Sequence, residues 1–208
     1  REEITPGEVP ERFNPVASYV KYFEVPDDFD RESVYISFQG AESGIALWLN
    51  GHFVGYSEDS FTPAEFFLSP YLREGRNKLA VQVFKWTSGS WCEDQDFYRF
   101  SGIFREVYLY TTPKVHVRDM KVETVLSEDL REGVLELCLD IADRRDERER
   151  AGHISFSLYQ PGRGFGRERL DEELCVLVAK DILAAGENRY ALDLKEPKLW
   201  SAEAPKLY

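Results

Sequence analysis

Short apolar runs broken by turn residues recur along the whole chain, and almost all of them read as strands. The stretches SYVKYFEVP (18–26), VYISFQG (34–40) and GIALWLNGHFVGYS (44–57) alternate or run apolar in residues that favour β structure. Asn50-Gly51 lies between two such runs and predicts a two-residue hairpin turn. Within 66–86 the pattern is a short helical turn, with Ser69 as N-cap, Pro70 at the first helical position and Gly75 beyond the end, and then a strand from Lys78 to Trp86. REVYLYTT (105–112) reads as a further strand. Residues 1–112 thus predict an all-β domain, a jelly-roll or similar β-sandwich whose only helix is decorative.

The pattern changes after Pro113. Five strand candidates, at 116–126, 133–142, 153–161, 173–182 and 188–194, follow one another at the spacing of an immunoglobulin-like β-sandwich. The second domain is therefore assigned to 113–208. DRRDERERAG (143–152) and PGRGFGRERLDEE (161–173) are charged or glycine-rich and predict exposed loops. Gly162, Gly164 and Gly166 lack the spacing of a phosphate loop and no helix follows them, so they read as a hairpin tip.

Composition narrows the possible partners. A chain of 208 residues that is 43% hydrophobic can bury substantial cores, and its net charge of −12 argues against a nucleic-acid backbone as ligand. No apolar run approaches the roughly 20 residues that cross a bilayer, and no basic segment followed by an apolar stretch opens the chain, so neither membrane insertion nor export is expected. Cys92, Cys138 and Cys175 are odd in number, widely spaced and set in apolar, strand-like surroundings. They read as reduced structural residues, which favours a cytoplasmic location.

The common catalytic motifs are missing: there is no G-x-S-x-G, no H-E-x-x-H and no P-loop. His52, His116 and His153 stand far apart, in or at the ends of strands, and read as surface or satisfied residues. One cluster stands out. In SWCEDQDFYRFSGIFREVYLY (90–110), Glu93, Asp94 and Asp96 fall within four residues beside aromatics that otherwise read as buried strand. Unpaired carboxylates are costly to bury, so these must be solvated, paired or held for a ligand. If 92–98 were extended, Asp94 and Asp96 would share a face about 7 Å apart. Two parallel side chains of one strand cannot flank a scissile glycosidic bond from opposite sides, so they make a poor acid and nucleophile pair. Either remains able to coordinate a cation or accept sugar hydroxyls.

The segments NPVASYVKYFEVP, ALWLNGHFVGYSEDSFTPAEFFLSPYLREGRNKLAVQVFKW, SGSWCEDQDFYRFSGIFREVYLY and PKLWSAEAPKLY together resemble the N-terminal part of glycoside hydrolase family 2 β-galactosidases of the large bacterial type. The resemblance covers nearly the whole chain and is loose only over about 127–190. It implies a jelly-roll, galactose-binding-like sugar-binding domain, then an immunoglobulin-like sandwich, then a (β/α)8 barrel carrying both catalytic glutamates. By this resemblance the barrel, about two strands of the second domain, and a sugar-contacting asparagine ahead of Arg1 fall outside the chain. The second domain is accordingly expected to be incomplete, and no residue of the chain is assigned a catalytic role.

The resemblance also assigns Asp96. The matching family segment reaches into the barrel's active site, where the equivalent aspartate binds sodium and the galactose 6-hydroxyl, so Asp96 is the implied substrate-binding and metal residue. Glu93 and Asp94 are expected to pair with arginines such as Arg99 or Arg105, or to accept backbone amides. Phe97 and Tyr98 are expected to pack, and Tyr98 stands where the family usually has tryptophan. The parent is implied to be a retaining β-galactosidase acting on lactose and other terminal β-galactosides. Sodium and magnesium are its implied ions, and a homo-oligomer its implied assembly. A free-standing carbohydrate-binding module and a sister family 2 enzyme, a β-glucuronidase or β-mannosidase, remain the alternatives.

Overall fold

The computed structural model describes residues 5–93, 95, 98–146, 153–161, 170–179 and 185–208, with 160–161 and 170–179 described for their backbone alone. Its contacts divide the chain into two compact units, Arg1–Pro113 and Lys114–Tyr208. Each is built almost wholly of strands.

The first unit contains β1 (Val16–Glu24), β2 (Val34–Phe38), β3 (Ala41–Glu42), β4 (Gly44–Leu49), β5 (His52–Ser57), β6 (Ala64–Phe67), a 3-10 turn (Ser69–Tyr71), β7 (Arg76–Phe84), α1 (Gly89–Cys92), β8 (Gly102–Ile103) and β9 (Val107–Thr111). A four-stranded sheet runs β1-β7-β4-β5 and a three-stranded sheet runs β6-β2-β9, while β3 and β8 form a short pair. Alternation explains how the two sheets meet. Val34, Ile36 and Phe38 of β2, Ile45, Leu47 and Leu49 of β4, and Leu79, Val81 and Val83 of β7 are the every-second positions, and all nine are buried in one cluster. This is a β-sandwich with its core between the sheets.

The hairpin turn forms as the sequence predicts. Asn50 and Gly51 both have positive φ, 53° and 89°, the left-handed geometry a two-residue turn demands. Asn50 also ties the turn to the β7 end of the sandwich. Its Nδ2 donates to the Tyr71 carbonyl and to Asn77 Oδ1, both at 2.8 Å, and its Oδ1 accepts the Lys78 N–H at 2.9 Å.

The helical turn forms too, but Ser69 does not cap it. Leu68 holds the cap position without a side-chain bond, and Ser69 instead accepts the Val34 N–H at 2.9 Å. Its hydroxyl serves the opening residue of β2, a non-local partner that local spacing does not reveal. The sequence pattern also gives no sign of β6, which is only four residues long and adjoins the turn, or of α1.

The second unit holds β10 (Val115–Leu126), β11 (Glu132–Asp143), β12 (Ile154–Pro161), β13 (Leu170–Ala179) and β14 (Gly186–Lys195). One sheet runs β10-β11-β14, and β12 pairs with β13. Leu137, Leu139 and Ile141 of β11 and Leu192 of β14 are buried, and Phe156 of β12 meets Tyr190 of β14 with ring centroids 4.8 Å apart. These contacts suit an immunoglobulin-like sandwich. The strand β13 begins at Leu170, inside the stretch read as loop, whereas Gly162, Gly164 and Gly166 lie outside the described residues. Among the described residues no helix is long and apolar enough to cross a membrane.

Candidate functional site

Between β7 and β9 the chain leaves the first unit's sheets, and this excursion carries the acidic cluster. Asp94, Asp96 and Phe97 lie outside the described residues, so the described geometry is that of the two limbs leading to and from them.

The outgoing limb starts where β7 ends. Asn14 grips Trp86 twice, donating to its carbonyl at 2.7 Å and accepting its N–H at 3.0 Å. Next comes a buried knot of hydroxyls. Ser90 Oγ accepts the Thr87 N–H at 2.9 Å and donates to Ser43 Oγ at 2.8 Å, and the Ser43 and Thr87 hydroxyls are 2.9 Å apart. All three residues are at most 5% exposed, so their polar atoms must find partners within the protein.

The loop 57–62 holds α1 at both ends. Glu58 Oε2 accepts Ser88 Oγ at 2.6 Å and the Gly89 N–H at 2.8 Å, while its Oε1 accepts Tyr56 OH at 2.8 Å. The bond from Ser88 is the main reason the Glu58 carboxyl sits below its ordinary pKa, and those from Gly89 and Tyr56 add to it. Partial burial, reinforced by donation to Glu58, raises the Tyr56 hydroxyl's pKa. At the other end Glu93 takes the Ser60 N–H on Oε1 at 2.7 Å and Ser60 Oγ on Oε2 at 2.5 Å. Asp59 shapes the loop itself, accepting the N–H groups of Phe61 and Thr62 at 3.0 Å each and the Thr62 hydroxyl. The Thr62 hydroxyl is the main cause of that carboxyl's lowered pKa. The approach is close: a Cβ on Gly89 would stand 2.9 Å from the Glu58 carbonyl oxygen.

The returning limb is fastened separately. Glu42 Oε2 accepts the Ser101 N–H at 2.8 Å, and β3 pairs with β8 through Ala41 with Ile103 and Glu42 with Gly102. The Arg99 guanidinium lies over the Trp86 and Trp91 rings, at 5.1 and 5.4 Å, and donates to the Ser90 carbonyl at 2.6 Å. Lys85 Nζ donates to the Arg99 carbonyl at 3.2 Å. Glu42, Ser43, Phe61, Ser90, Glu93, Gln95 and Arg99 line a small cleft between the limbs.

Of the two expectations for Glu93, the backbone-amide one holds. Arg105 donates instead to the carbonyls of Gln39 and Phe61. Tyr98 and Phe100 do not form the buried strand that their pattern suggests. Tyr98 and Phe100 are each 83% exposed and lean on each other with ring centroids 5.6 Å apart, so Tyr98 is not a core packing residue of this unit. Cys92 is likewise exposed on α1 rather than set in apolar surroundings, while Cys138 is partly buried on β11, and neither is in a disulfide. His52 and His153 are exposed, as surface histidines should be. Among the described residues no three His, Cys, Asp or Glu side chains converge as a cation site. Sequence reasoning missed Glu58 and Ser60, the residues that hold the two ends of α1. Their only local signal is the polar run SEDS directly after an apolar strand.

Comparison with known proteins identifies the family. Residues 3–113 match the profile described as glycosyl hydrolases family 2, sugar binding domain, and residues 115–208 match glycosyl hydrolases family 2. A β-galactosidase of Halalkalibacterium halodurans is 47% identical over 206 residues, 99% of this chain and 19% of that protein. One of Priestia megaterium is 42% identical over 209 residues, 100% of this chain and 20% of that protein. The chain thus spans about a fifth of the length of these curated relatives. Among solved structures, a β-glucuronidase of Parabacteroides merdae matches with a TM-score of 0.69 at 16% identity, covering 93% of this chain and 25% of its own. A β-glucuronidase of Bacteroides uniformis gives 0.68 at 21% identity, covering 93% and 23%. Likeness at such identities is one of fold. The two profile matches cover both units, and the chain belongs to glycosyl hydrolases family 2.

Proposed function

We propose that this chain is the non-catalytic sugar-binding portion of a retaining β-galactosidase that hydrolyses terminal β-D-galactose residues of lactose and other β-galactosides. The observation that carries the reading is 47% identity to a β-galactosidase over 99% of the chain, against 16–21% to the two β-glucuronidases. Two catalytic carboxyl groups are required by such chemistry, and both come from a barrel domain elsewhere in the longer polypeptide. In this reading Asp96 contacts the galactose 6-hydroxyl and a sodium ion. A carboxylate facing a hydroxyl and a cation keeps its charge at little cost, because each partner replaces lost solvation. An ion at Asp96 takes its further ligands from the barrel, and magnesium is held there too. We also assign the parent to a homo-oligomer in the cytoplasm, the latter supported by two cysteines that carry no disulfide.

The firmly tied limbs support the role of the excursion between them, since a group that must meet a substrate needs a rigid base. The test is hydrolysis of chromogenic β-galactoside, β-glucuronide and β-mannoside by the longer polypeptide and by this chain alone. The longer polypeptide should prefer the galactoside and this chain should turn over none of them. Preference for the glucuronide or mannoside would replace the reading by a sister enzyme, and no turnover in either would replace it by a binding module.

A further inference from the structure

Residues 5–15 lead into β1 without regular structure, and from Thr5 to Phe13 all but Pro10 are exposed, Phe13 by 72%. Apolar burial does little to hold such a segment, so it depends on ties at particular points. At one end the Glu8 carbonyl accepts the Trp91 indole N–H at 2.9 Å. At the other, Asn14 exchanges two bonds with the Trp86 backbone, at 2.7 and 3.0 Å, and the Pro15 carbonyl accepts the Lys85 N–H at 3.0 Å. The two indoles are stacked, with ring centroids 5.6 Å apart and planes inclined by 21°. Glu8, Trp91, Trp86 and Asn14 therefore close a ring, in which the indole pair joins the two ends of one segment. Arg99 lies over both indoles from the returning limb.

We infer that residues 8–14 form a strap that closes over the stacked tryptophans as one unit, and that its closure is coupled to the order of α1 through Trp91. With either tie made, the opposite end of the strap is kept within reach of its partner, so the second tie forms at high effective concentration. Losing one tie loosens the other. Trp91 belongs to α1, whose start Glu58 holds through Ser88 and Gly89. A closed strap fixes the indole and with it the turn, and an ordered turn presents the indole to Glu8. Coupling of this kind is reciprocal by thermodynamic necessity. An exposed segment held by a few hydrogen bonds opens locally at far lower cost than a core strand, so the strap is the moving part and the sheet the fixed one. The outgoing limb of the excursion is thus tightened or slackened by a segment 83 residues away in sequence.

The Trp91 indole N–H reports closure directly, because it is the donor in the Glu8 tie. Its exchange with deuterium is followed by NMR in the chain, its signal being assigned by loss in Trp91→Phe. The Gly89 and Glu93 amides, which donate to Glu58 and to the Gly89 carbonyl, report on α1, and the amides of Leu47 and Val81 report on global unfolding. In the native chain the indole should exchange far faster than the two core amides, as local opening requires. Asn14→Ala removes the far tie and leaves every atom of the Glu8 tie in place. It is expected to speed the indole and the Gly89 and Glu93 amides about 5- to 30-fold. Trp91→Phe keeps an aromatic ring but deletes the Glu8 tie, and by reciprocity should speed the Trp86 amide, the donor to Asn14, by a similar factor. Spectral dispersion confirms that each variant is folded, and where Asn14→Ala is not, Trp91→Phe decides alone through the Trp86, Gly89 and Glu93 amides. An unchanged indole in folded Asn14→Ala, or an unchanged Trp86 amide in Trp91→Phe, means two independent ties and overturns the inference. So does faster exchange at the ties with Gly89 and Glu93 unaltered, which uncouples the strap from α1, and so does a native indole as slow as the core amides, which denies the strap an opening of its own.

Discussion

Replacing Ser90 by alanine tests whether the hydroxyl knot holds the start of the excursion. Ser90 is 1% exposed, and its oxygen makes two bonds: it accepts the Thr87 N–H at 2.9 Å and donates to Ser43 Oγ at 2.8 Å. Alanine ends both. Ser43 loses little, because its hydroxyl still has Thr87 Oγ1 at 2.9 Å and the Phe84 carbonyl at 3.4 Å. The Thr87 N–H is worse placed, since its residue is only 5% exposed and the space left by one oxygen atom is too small for water. A buried donor without a partner costs about 1 to 3 kcal/mol. For a unit of this size that is a fall in melting temperature of about 4 to 12 °C. Urea unfolding of the chain, followed by tryptophan fluorescence, measures it directly, because Trp86 and Trp91 flank the knot. A double-mutant cycle with Ser43→Ala should give a coupling of about 0.5 to 2 kcal/mol, the second substitution costing less once the first is made. A loss below about 0.3 kcal/mol in Ser90→Ala would refute the argument, since the knot would then hold nothing that water does not.

Two further outcomes follow from burial and charge. Leu47 of β4 is fully buried at the centre of the first unit's core, so Leu47→Ala should destabilise that unit by about 3 to 5 kcal/mol in urea unfolding, and a loss below about 1 kcal/mol would contradict the assigned core. The pKa of Glu58 is lowered from 4.5, so its contribution is complete above that value and lost as pH falls through the folded-state pKa. Stability measured from about pH 6 down to about pH 3 should decline less steeply in Glu58→Gln than in the native chain, and parallel slopes would remove Glu58 from the acid response.

The two-unit plan was legible because it rests on local signals. Alternation at Val34, Ile36 and Phe38 is a property of consecutive residues, and so is the Asn50-Gly51 turn; both survive folding because burial and positive φ demand those residue types. Ser69 shows where this stops. Its spacing to Pro70 and Gly75 suits a cap, but its hydroxyl goes to the N–H of Val34, 35 residues away in sequence and adjacent in the folded chain. The same holds for the aromatics at 98–100, whose strand-like composition says nothing of whether a sheet has room for them.

The candidate site divides along this line. The resemblance picked out Asp96, but nothing local marked Glu58 and Ser60 as the residues that hold α1, because their partners at Ser88, Gly89 and Glu93 lie about 30 residues downstream. The polar run SEDS follows an apolar strand and reads as an ordinary solvated loop. In the fold its residues divide the bonding between them, for Glu58 accepts from the turn, Asp59 shapes the loop, and Ser60 donates to Glu93. Glu93 stands beside the core on the same terms. Glu93 is held by an N–H and a hydroxyl, and the Arg99 guanidinium braces the limbs through Trp86, Trp91 and the Ser90 carbonyl.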